Sequence, residues 1–255
     1  MGTIPALLGR LKASTLSRVG SRPIATKLGD PAFSITFDDA HRSAVHNGVP
    51  ILIDHRACAT FYVASGLRPE EGFLDPSDFA SLRVHGFDIA CHTFSHYSLD
   101  GGTSKGLALD AARNRLAFER ELRVGRPRDF SYPFGEVSVS AKRLIGQSYA
   151  TARGVYPGVN RVGSDLLLLR ANPLFSTSAD WEATKRMLDE TTETSGWVIF
   201  YTHGVVEDPD RRSCTPEDLD RLLGECRRAG LVSRSVRSLS EELLPGWTPS
   251  ATESA

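Results

Sequence analysis

Strand-like and helix-like runs alternate along this chain from Phe33 to about residue 240. The predicted strands are 33–37, 59–63, 87–91, 129–133, 148–152, 166–170, 197–202 and 231–234. The predicted helices between them lie near 40–53, 77–85, 104–123, 138–146, 180–194 and 215–229. Strict alternation favours parallel strands joined by crossover helices, so the sequence predicts an α/β fold. An α/β barrel of this length commonly forms one domain.

The two ends of the chain differ from this middle part. Residues 1–30 are rich in Arg, Ser, Gly and Pro, and we predict a poorly anchored lead-in segment there. Residues 31–242 form the predicted domain, and 243–255 are predicted to be a flexible tail. The weakly amphipathic run from Ile4 to Val19 is a candidate for peripheral membrane contact, although a docking helix or a frayed terminus is the simpler explanation.

The overall composition argues against several classes of protein. The formal net charge of -1 does not fit a nucleic-acid-binding protein, which normally needs a basic face. The longest apolar run, Trp197–Tyr201, is strand-sized, so we expect no integral membrane segment. Arg10, Lys12 and Arg18 interrupt the apolar stretch that a secretory signal requires, which predicts a cytoplasmic protein. The 4 cysteines show no disulfide-dense pattern, in agreement with that location.

Polar side chains follow two of the predicted strands. Asp38 and Asp39 come directly after the first strand, and His92 and His96 come after the third. One carboxylate and two imidazoles make a three-ligand metal site with open positions, and the other carboxylate remains available as a base. By itself, a pair of acids also suits a helix start, and two histidines four apart also occur by chance. Together they favour a metal-dependent hydrolase.

Other strand ends and turns carry further candidates. His203 ends a buried strand, where it is either a general acid or a hydrogen-bonded core histidine. Arg170 ends another predicted strand, and Tyr132–Gly135 is a turn whose N–H groups could donate to an oxyanion. Asp180 is either a helix N-cap or a carboxylate that orients His203, with Trp181 forming part of an apolar wall.

These segments resemble, in order and spacing, the five motifs of the polysaccharide deacetylase family (carbohydrate esterase family 4, the NodB-homology domain). The resembling segments are Thr36–Asp39, His92–His96, Phe130–Gly135, Asp180–Trp181 and Tyr201–His203. The resemblance covers roughly residues 30–240, and the first two motifs are its most specific part. It implies a deformed (β/α) barrel of about seven parallel strands and an enzyme that removes N-acetyl groups from an amino-sugar glycan or its biosynthetic precursor.

The resemblance also implies a role for individual residues. The implied ligands of a divalent metal, expected to be Zn²⁺, are Asp39, His92 and His96. Asp38 would be the general base, His203 the general acid, and the backbone N–H of Phe134 would help to hold the oxyanion. The expected partner is an N-acetylated carbohydrate, which for a cytoplasmic enzyme would be a nucleotide-linked or lipid-linked precursor.

Several positions depart from the family pattern. Ala40 replaces a glycine, Thr177 replaces the first acid of the fourth motif, and Ser131 replaces the arginine that orients the base. We predict that Arg170 supplies the missing guanidinium from another strand. Tyr201 stands in place of a leucine and is expected to alter the pocket for the acetyl methyl group.

Two other functions compete with this interpretation. The first is an amidase of the same fold that acts on a small nitrogen compound, as in the allantoinase-like branch. The second is a non-catalytic sugar-binding barrel, which the changes at Ser131 and Thr177 favour. Asp38 and His203 argue against the second, because binding alone requires neither a base nor an acid.

Overall fold

The computed structural model describes residues 16, 18–39, 41–68 and 72–250. Its named strands pair in parallel, and seven of them form a curled half-barrel in the order β5-β4-β3-β2-β1-β7-β6, with β8 beside the first half of β1. The strands are β1 (Ala32–Phe37), β2 (Ala59–Val63), β3 (Asp88–Cys91), β4 (Asp129–Ser131), β5 (Thr151–Arg153), β6 (Asn172–Pro173), β7 (Trp197–Thr202) and β8 (Val232–Ser233). The predicted α/β fold, a deformed (β/α) barrel, is confirmed.

Helices surround this sheet, and all but one of those described here begin where a side chain satisfies free N–H groups of the first turn. They are α1 (Val49–Asp54), α2 (Pro76–Val84), α3 (Ser104–Ala117), α4 (Val139–Ser148), α5 (Trp181–Thr194), α6 (Pro216–Arg228) and α7 (Val236–Leu243). Among these seven helices, α1 alone lacks such a side-chain cap, because the π-helical turn Ala44–Gly48 leads directly into it. The other caps are Asp75, Thr103, Ser138, Asp180, Thr215 and Ser235.

The main core lies between the sheet and the helices. All six residues of β1 are buried, as expected for a strand paired on both sides and covered on both faces. Phe37 stacks on Phe61 of β2 with ring centroids 4.8 Å apart, and apolar residues of α6 close the same cluster. This packing fixes β1 at the centre of the sheet, so the residues that follow Phe37 emerge at the middle of the barrel's carboxyl-terminal edge.

The prediction of a strand over 166–170 is wrong. The helix α7 was not predicted from the sequence. Asp165 begins a turn instead, because its carboxylate accepts from the N–H of Leu167 (3.0 Å) and its carbonyl from the N–H of Leu168 (2.9 Å). The leucines are buried, so their apolar pattern resembled a strand although Asp165 folds them into a turn. The strand order ends at the short strand β6, which begins two residues after Arg170.

Both described ends of the chain contact the domain. The carbonyl oxygen of Leu16 accepts from the Nζ of Lys142 in α4, and the N–H of Ser250 donates to the carbonyl of Gln147 in the same helix (2.9 Å). The guanidinium of Arg128 lies 5.1 Å from the ring centroid of Trp247. The expected tail therefore packs on the domain as far as Ser250, while most of the run from Ile4 and residues 251–255 lie outside the described residues.

The predicted domain bounds stay a prediction. No helix in the described part of the chain is both long enough and apolar enough to cross a membrane.

Candidate active site

Three side chains converge at the carboxyl-terminal edge of the sheet. The Nε2 atoms of His92 and His96 lie 3.3 and 3.1 Å from the same oxygen of Asp39, Oδ1, and one ligand atom from each residue lies within 4.8 Å of the others. Asp39 and His92 are buried, and His96 is half-buried. The structure thus brings together the three metal ligands predicted from the sequence.

The chemistry of this group fits a divalent metal. Oδ1 of Asp39 is buried and has no hydrogen-bond donor among the described residues, although two imidazoles face it. Ligands about 2.0–2.1 Å from a tetrahedral zinc stand roughly 3.3 Å from each other, close to the separations found here. Burial raises the pKa of Asp39, but the two facing imidazoles outweigh it and hold the pKa below its ordinary value. The carboxylate is therefore ionised, as a ligand must be.

A backbone carbonyl orients the His92 ring. The carbonyl oxygen of Ser131 lies 2.9 Å from Nδ1 of His92. A carbonyl can only accept, so Nδ1 carries a proton, and Nε2, which faces Asp39, is the nitrogen available to bind a metal. Strand β4 thereby orients a metal-ligand candidate that directly follows the neighbouring strand β3.

The loop between the two histidines is held by Asp110 of α3, a residue that the sequence analysis missed. The carboxylate of Asp110 accepts from the N–H groups of Phe94 and Ser95, both at 2.8 Å, and from the hydroxyl of Ser95 at 3.0 Å. Thr93 and His96 adopt left-handed backbone conformations, with φ of 62° and 55°. Such conformations cost about 1–3 kcal/mol each and persist only where the surroundings impose them, so Asp110 preorganises this loop.

Asp38 is paired with an arginine, but not with the predicted one. The Nη2 of Arg153, at the end of β5, donates to Oδ1 of Asp38 and to the hydroxyl of Ser131 (2.6 Å). Arg170 is exposed and donates to the carbonyl of Pro157 (2.9 Å), so its predicted role is wrong. The strand that was to place Arg170 at the edge of the sheet does not exist.

His203 lies beside the Asp39 carboxylate and is oriented by a backbone carbonyl. Its Nδ1 lies 3.1 Å from the carbonyl oxygen of Arg212, and its Nε2 lies 3.8 Å from Oδ2 of Asp39. Nδ1 is again the protonated nitrogen, because the carbonyl accepts. Burial lowers the pKa of His203 below its ordinary value, against the opposing effect of the two nearby carboxylates.

The structure corrects the role predicted for the fourth motif. Asp180 is exposed and caps α5 by accepting from the N–H of Ala183 (2.9 Å), so the carbonyl of Arg212 orients His203 in its place. Trp181 packs against the main core, and the guanidinium of Arg221 lies 4.1 Å from its ring centroid. Both residues act in the structure as the start of a helix.

Phe134 and Tyr201 lie next to the site residues. Phe134 has a left-handed backbone, with φ of 58°, and its exposed ring meets the His96 ring edge-on with centroids 4.3 Å apart. Tyr201 is half-buried, and the Cζ of Arg153 lies 5.0 Å from its ring centroid. Phe134 therefore lies against a metal-ligand candidate, whereas Tyr201 contacts the arginine that holds Asp38.

The fold and the site together define a class of protein: a (β/α)-barrel hydrolase whose reactive groups lie at the carboxyl ends of the strands. The family model described as polysaccharide deacetylase matches residues 25–150, a span that contains the first three motifs. Residues 25–150 therefore carry a polysaccharide deacetylase domain. The protein is accordingly a deacetylase, a hydrolase of carbon–nitrogen bonds other than peptide bonds.

Solved structures share the whole fold at low sequence identity. A Mycobacterium smegmatis protein assigned to the polysaccharide deacetylases is 17% identical, with a TM-score of 0.65 over 90% of this chain and 97% of that chain. A family 4 carbohydrate esterase from Bacillus anthracis is 14% identical, with a TM-score of 0.61 over 91% and 92% of the two chains. A variant of the peptidoglycan deacetylase PdaC from Bacillus subtilis is 17% identical, with a TM-score of 0.55 over 84% and 92%. No curated protein matches the sequence.

Proposed function

We propose that this chain is a metal-dependent deacetylase that removes N-acetyl groups from an amino-sugar glycan or its biosynthetic precursor, with Zn²⁺ as the metal. The observation that carries the proposal is the convergence of Asp39, His92 and His96 around a buried carboxylate oxygen that no hydrogen-bond donor of the described residues satisfies. A second carboxylate, that of Asp38, follows the same strand as Asp39 and forms an ion pair with the buried Arg153.

The proposed metal ligands leave Asp38 free for proton transfer. When bound, a divalent metal polarises the amide carbonyl and lowers the pKa of a coordinated water. Asp38 accepts the proton of the attacking water, and its contact with Arg153 fixes which way the carboxylate faces. The backbone N–H of Phe134 donates to the oxygen that gains charge during the attack.

His203 has the arrangement that a proton donor needs. An amine leaves readily only when it is protonated, so a general acid is required on the side of the leaving group. The carbonyl of Arg212 holds Nδ1 of His203, which leaves Nε2 directed toward the Asp39 carboxylate and the proposed reaction centre. Loss of such a donor typically costs about 10²–10⁴ in rate.

The buried arginine also bears on the non-catalytic alternative. Ser131 favoured a sugar-binding barrel because it removes the expected guanidinium from the third motif. In the structure, Arg153 brings a guanidinium to the same carboxylate, so Ser131 no longer argues for loss of catalysis.

The proposal is tested by measuring metal content and product release together. We expect about one divalent metal per chain, acetate release from N-acetylglucosamine oligomers, and loss of both after treatment with a chelator. Small ureides should not be hydrolysed. Release of ammonia from ureides without release of acetate from the oligomers would favour the amidase, and bound metal without either product would favour the sugar-binding barrel.

A further inference from the structure

A guanidinium crosses the interior of the barrel beneath the proposed metal site. Arg153 begins at the end of β5, is completely buried, and reaches Asp38 at the end of β1. Its Nη1 donates to the carbonyl of Gly154 (2.9 Å), and its Nη2 donates to Asp38 and to the hydroxyl of Ser131. A buried charge needs a partner and hydrogen bonds, and Arg153 has both through Nη1 and Nη2, while its Nε has no partner among the described residues.

The strand register explains how an arginine on β5 reaches this point. Ser131 of β4 and Arg153 of β5 are register partners in the parallel pairing of the two strands. Register partners on adjacent strands point to the same face of a sheet, so a long side chain at either position enters the same space. The small side chain of Ser131 leaves that space to Arg153 and accepts a hydrogen bond from it.

Two aromatic rings complete the surroundings of the guanidinium. The ring centroids of Tyr62 on β2 and Tyr201 on β7 each lie 5.0 Å from the Cζ of Arg153. Tyrosine faces attract a desolvated cation, which a leucine at position 201 would not do. Burial disfavours the charged guanidinium, but the nearby Asp38 carboxylate outweighs burial and holds the pKa of Arg153 above its ordinary value.

We propose that Arg153 is the positioning residue of the base Asp38, and that Ser131, Arg153 and Tyr201 form one linked set. Ser131 on β4 is small and leaves room beside Asp38, and the Arg153 side chain from β5 fills that room. The ring of Tyr201 on β7 stabilises the positive charge of Arg153. Two departures from the family pattern, at Ser131 and Tyr201, thus have a common structural reason. The catalytic part of this inference rests on the proposed function, because it takes Asp38 as the base.

The kinetic test compares two arginine-to-methionine variants. Arg153→Met keeps most of the side-chain volume and removes the charge, so we expect kcat for acetate release to fall by about 10²-fold or more. KM should stay within about threefold, because Arg153 acts through Asp38 and not on the substrate. The metal content should not change. Arg170→Met, at an exposed arginine with no contact to Asp38, is the matched control and should keep the wild-type kcat.

The register argument is tested by moving the arginine back by one strand. Arg153→Ser alone should be nearly inactive, and the double variant Ser131→Arg/Arg153→Ser should recover kcat at least about tenfold over it. An unchanged kcat in folded, metal-loaded Arg153→Met, a loss confined to KM, or a double variant no better than Arg153→Ser would each overturn the inference.

A third measurement does not depend on activity. If Arg153→Met is poorly folded because it leaves Asp38 buried and unpaired, then Asp38→Asn/Arg153→Met should unfold at a higher temperature than Arg153→Met alone. A double variant with the same or a lower Tm would contradict the pairing. Absence of acetate release by the metal-loaded wild-type protein would instead refute the proposed function and leave this comparison of melting temperatures valid.

Discussion

Both edges of the barrel bury carboxylates, but the partners of these carboxylates differ, and the pKa values of Asp39 and Asp129 shift in opposite directions. At the carboxyl-terminal edge, Asp38 faces Arg153, and Asp39 faces two imidazoles. At the amino-terminal edge, Asp129 begins β4 and accepts from the hydroxyl of Thr151 at 2.7 Å. Burial raises the pKa of Asp129 to about 6, more than its hydroxyl partners lower it.

The partner of a buried carboxylate distinguishes a reactive carboxylate from a structural one in this fold. Burial alone favours the neutral acid, whereas a cationic or metal partner keeps a buried carboxylate ionised. Asp39 is held ionised at the edge where the proposed chemistry takes place. At the opposite edge the pKa of Asp129 is raised instead, and its carboxylate accepts a hydrogen bond from Thr151 of the neighbouring strand. Asparagine substitutions at four aspartates test this distinction.

Asp39→Asn should have the largest effect. It removes the charged ligand from the Asp-His-His group, so we expect loss of bound metal and of all detectable acetate release. Metal content measured by atomic absorption, with circular dichroism as the control for folding, checks this. A folded variant that retains one metal per chain would remove Asp39 from the ligand set.

Asp38→Asn should separate catalysis from metal binding. The amide keeps the shape of the side chain but cannot take a proton from water, so we expect kcat to fall by about 10²–10⁴. The metal content should remain that of the wild type. Steady-state kinetics and metal analysis of the same preparation provide the check, and metal loss here would place Asp38 among the ligands.

Asp110→Asn should weaken the metal site without removing it. The variant retains one acceptor oxygen for the loop but loses the charge that holds the N–H groups of Phe94 and Ser95. Changes in groups that orient ligands typically cost about 10–100-fold in metal affinity, and we expect a value in that range. Competition with a chromophoric chelator measures it. An unchanged affinity would show that the loop keeps its conformation without the Asp110 carboxylate.

Asp129→Asn should have the smallest effect on kcat, and it should make the folded protein more stable at neutral pH. The pKa of Asp129 is about 6 in the folded protein against an ordinary value of 3.8, so between these values the folded state holds more protons than the unfolded state. The stability of the wild type therefore falls as the pH rises from about 4 to 6, by at most about 2–3 kcal/mol.

The neutral amide at this position avoids that loss. Urea unfolding should show Asp129→Asn to be more stable than the wild type at about pH 7.5, and the difference should vanish near pH 4. The kcat should match the wild type. A variant that is less stable at about pH 7.5 would mean that the hydrogen bond from Thr151 requires the charged carboxylate.

The parts of the structure that could be predicted share a local cause. Buried strands produce apolar runs and helix starts carry capping residues, so the alternating elements follow from short stretches of sequence. The candidate metal-ligand group also follows, because Asp39, His92 and His96 lie within five residues after two such strands. Parallel strands bring their carboxyl ends together whatever lies between them.

The parts that could not be predicted depend on contacts between distant segments. Arg153 reaches Asp38 only because β4 and β5 pair in one register, which the sequence of neither strand specifies. The mistaken role of Arg170 came from a buried leucine run that a side-chain hydrogen bond of Asp165 folds into a turn. Asp180 had two interpretations from the start, and the structure shows the helix cap.

Helix α4 holds both described ends of the chain, through Lys142 at Leu16 and Gln147 at Ser250. The two ends therefore emerge close to one another. This closeness suits the part of the chain from Leu16 to Ser250 to circular permutation, with these two residues joined by a short linker and new ends opened in an exposed loop. In such a permuted enzyme the strands that carry the site residues would be synthesised in a different order. Their arrangement in space would be unchanged.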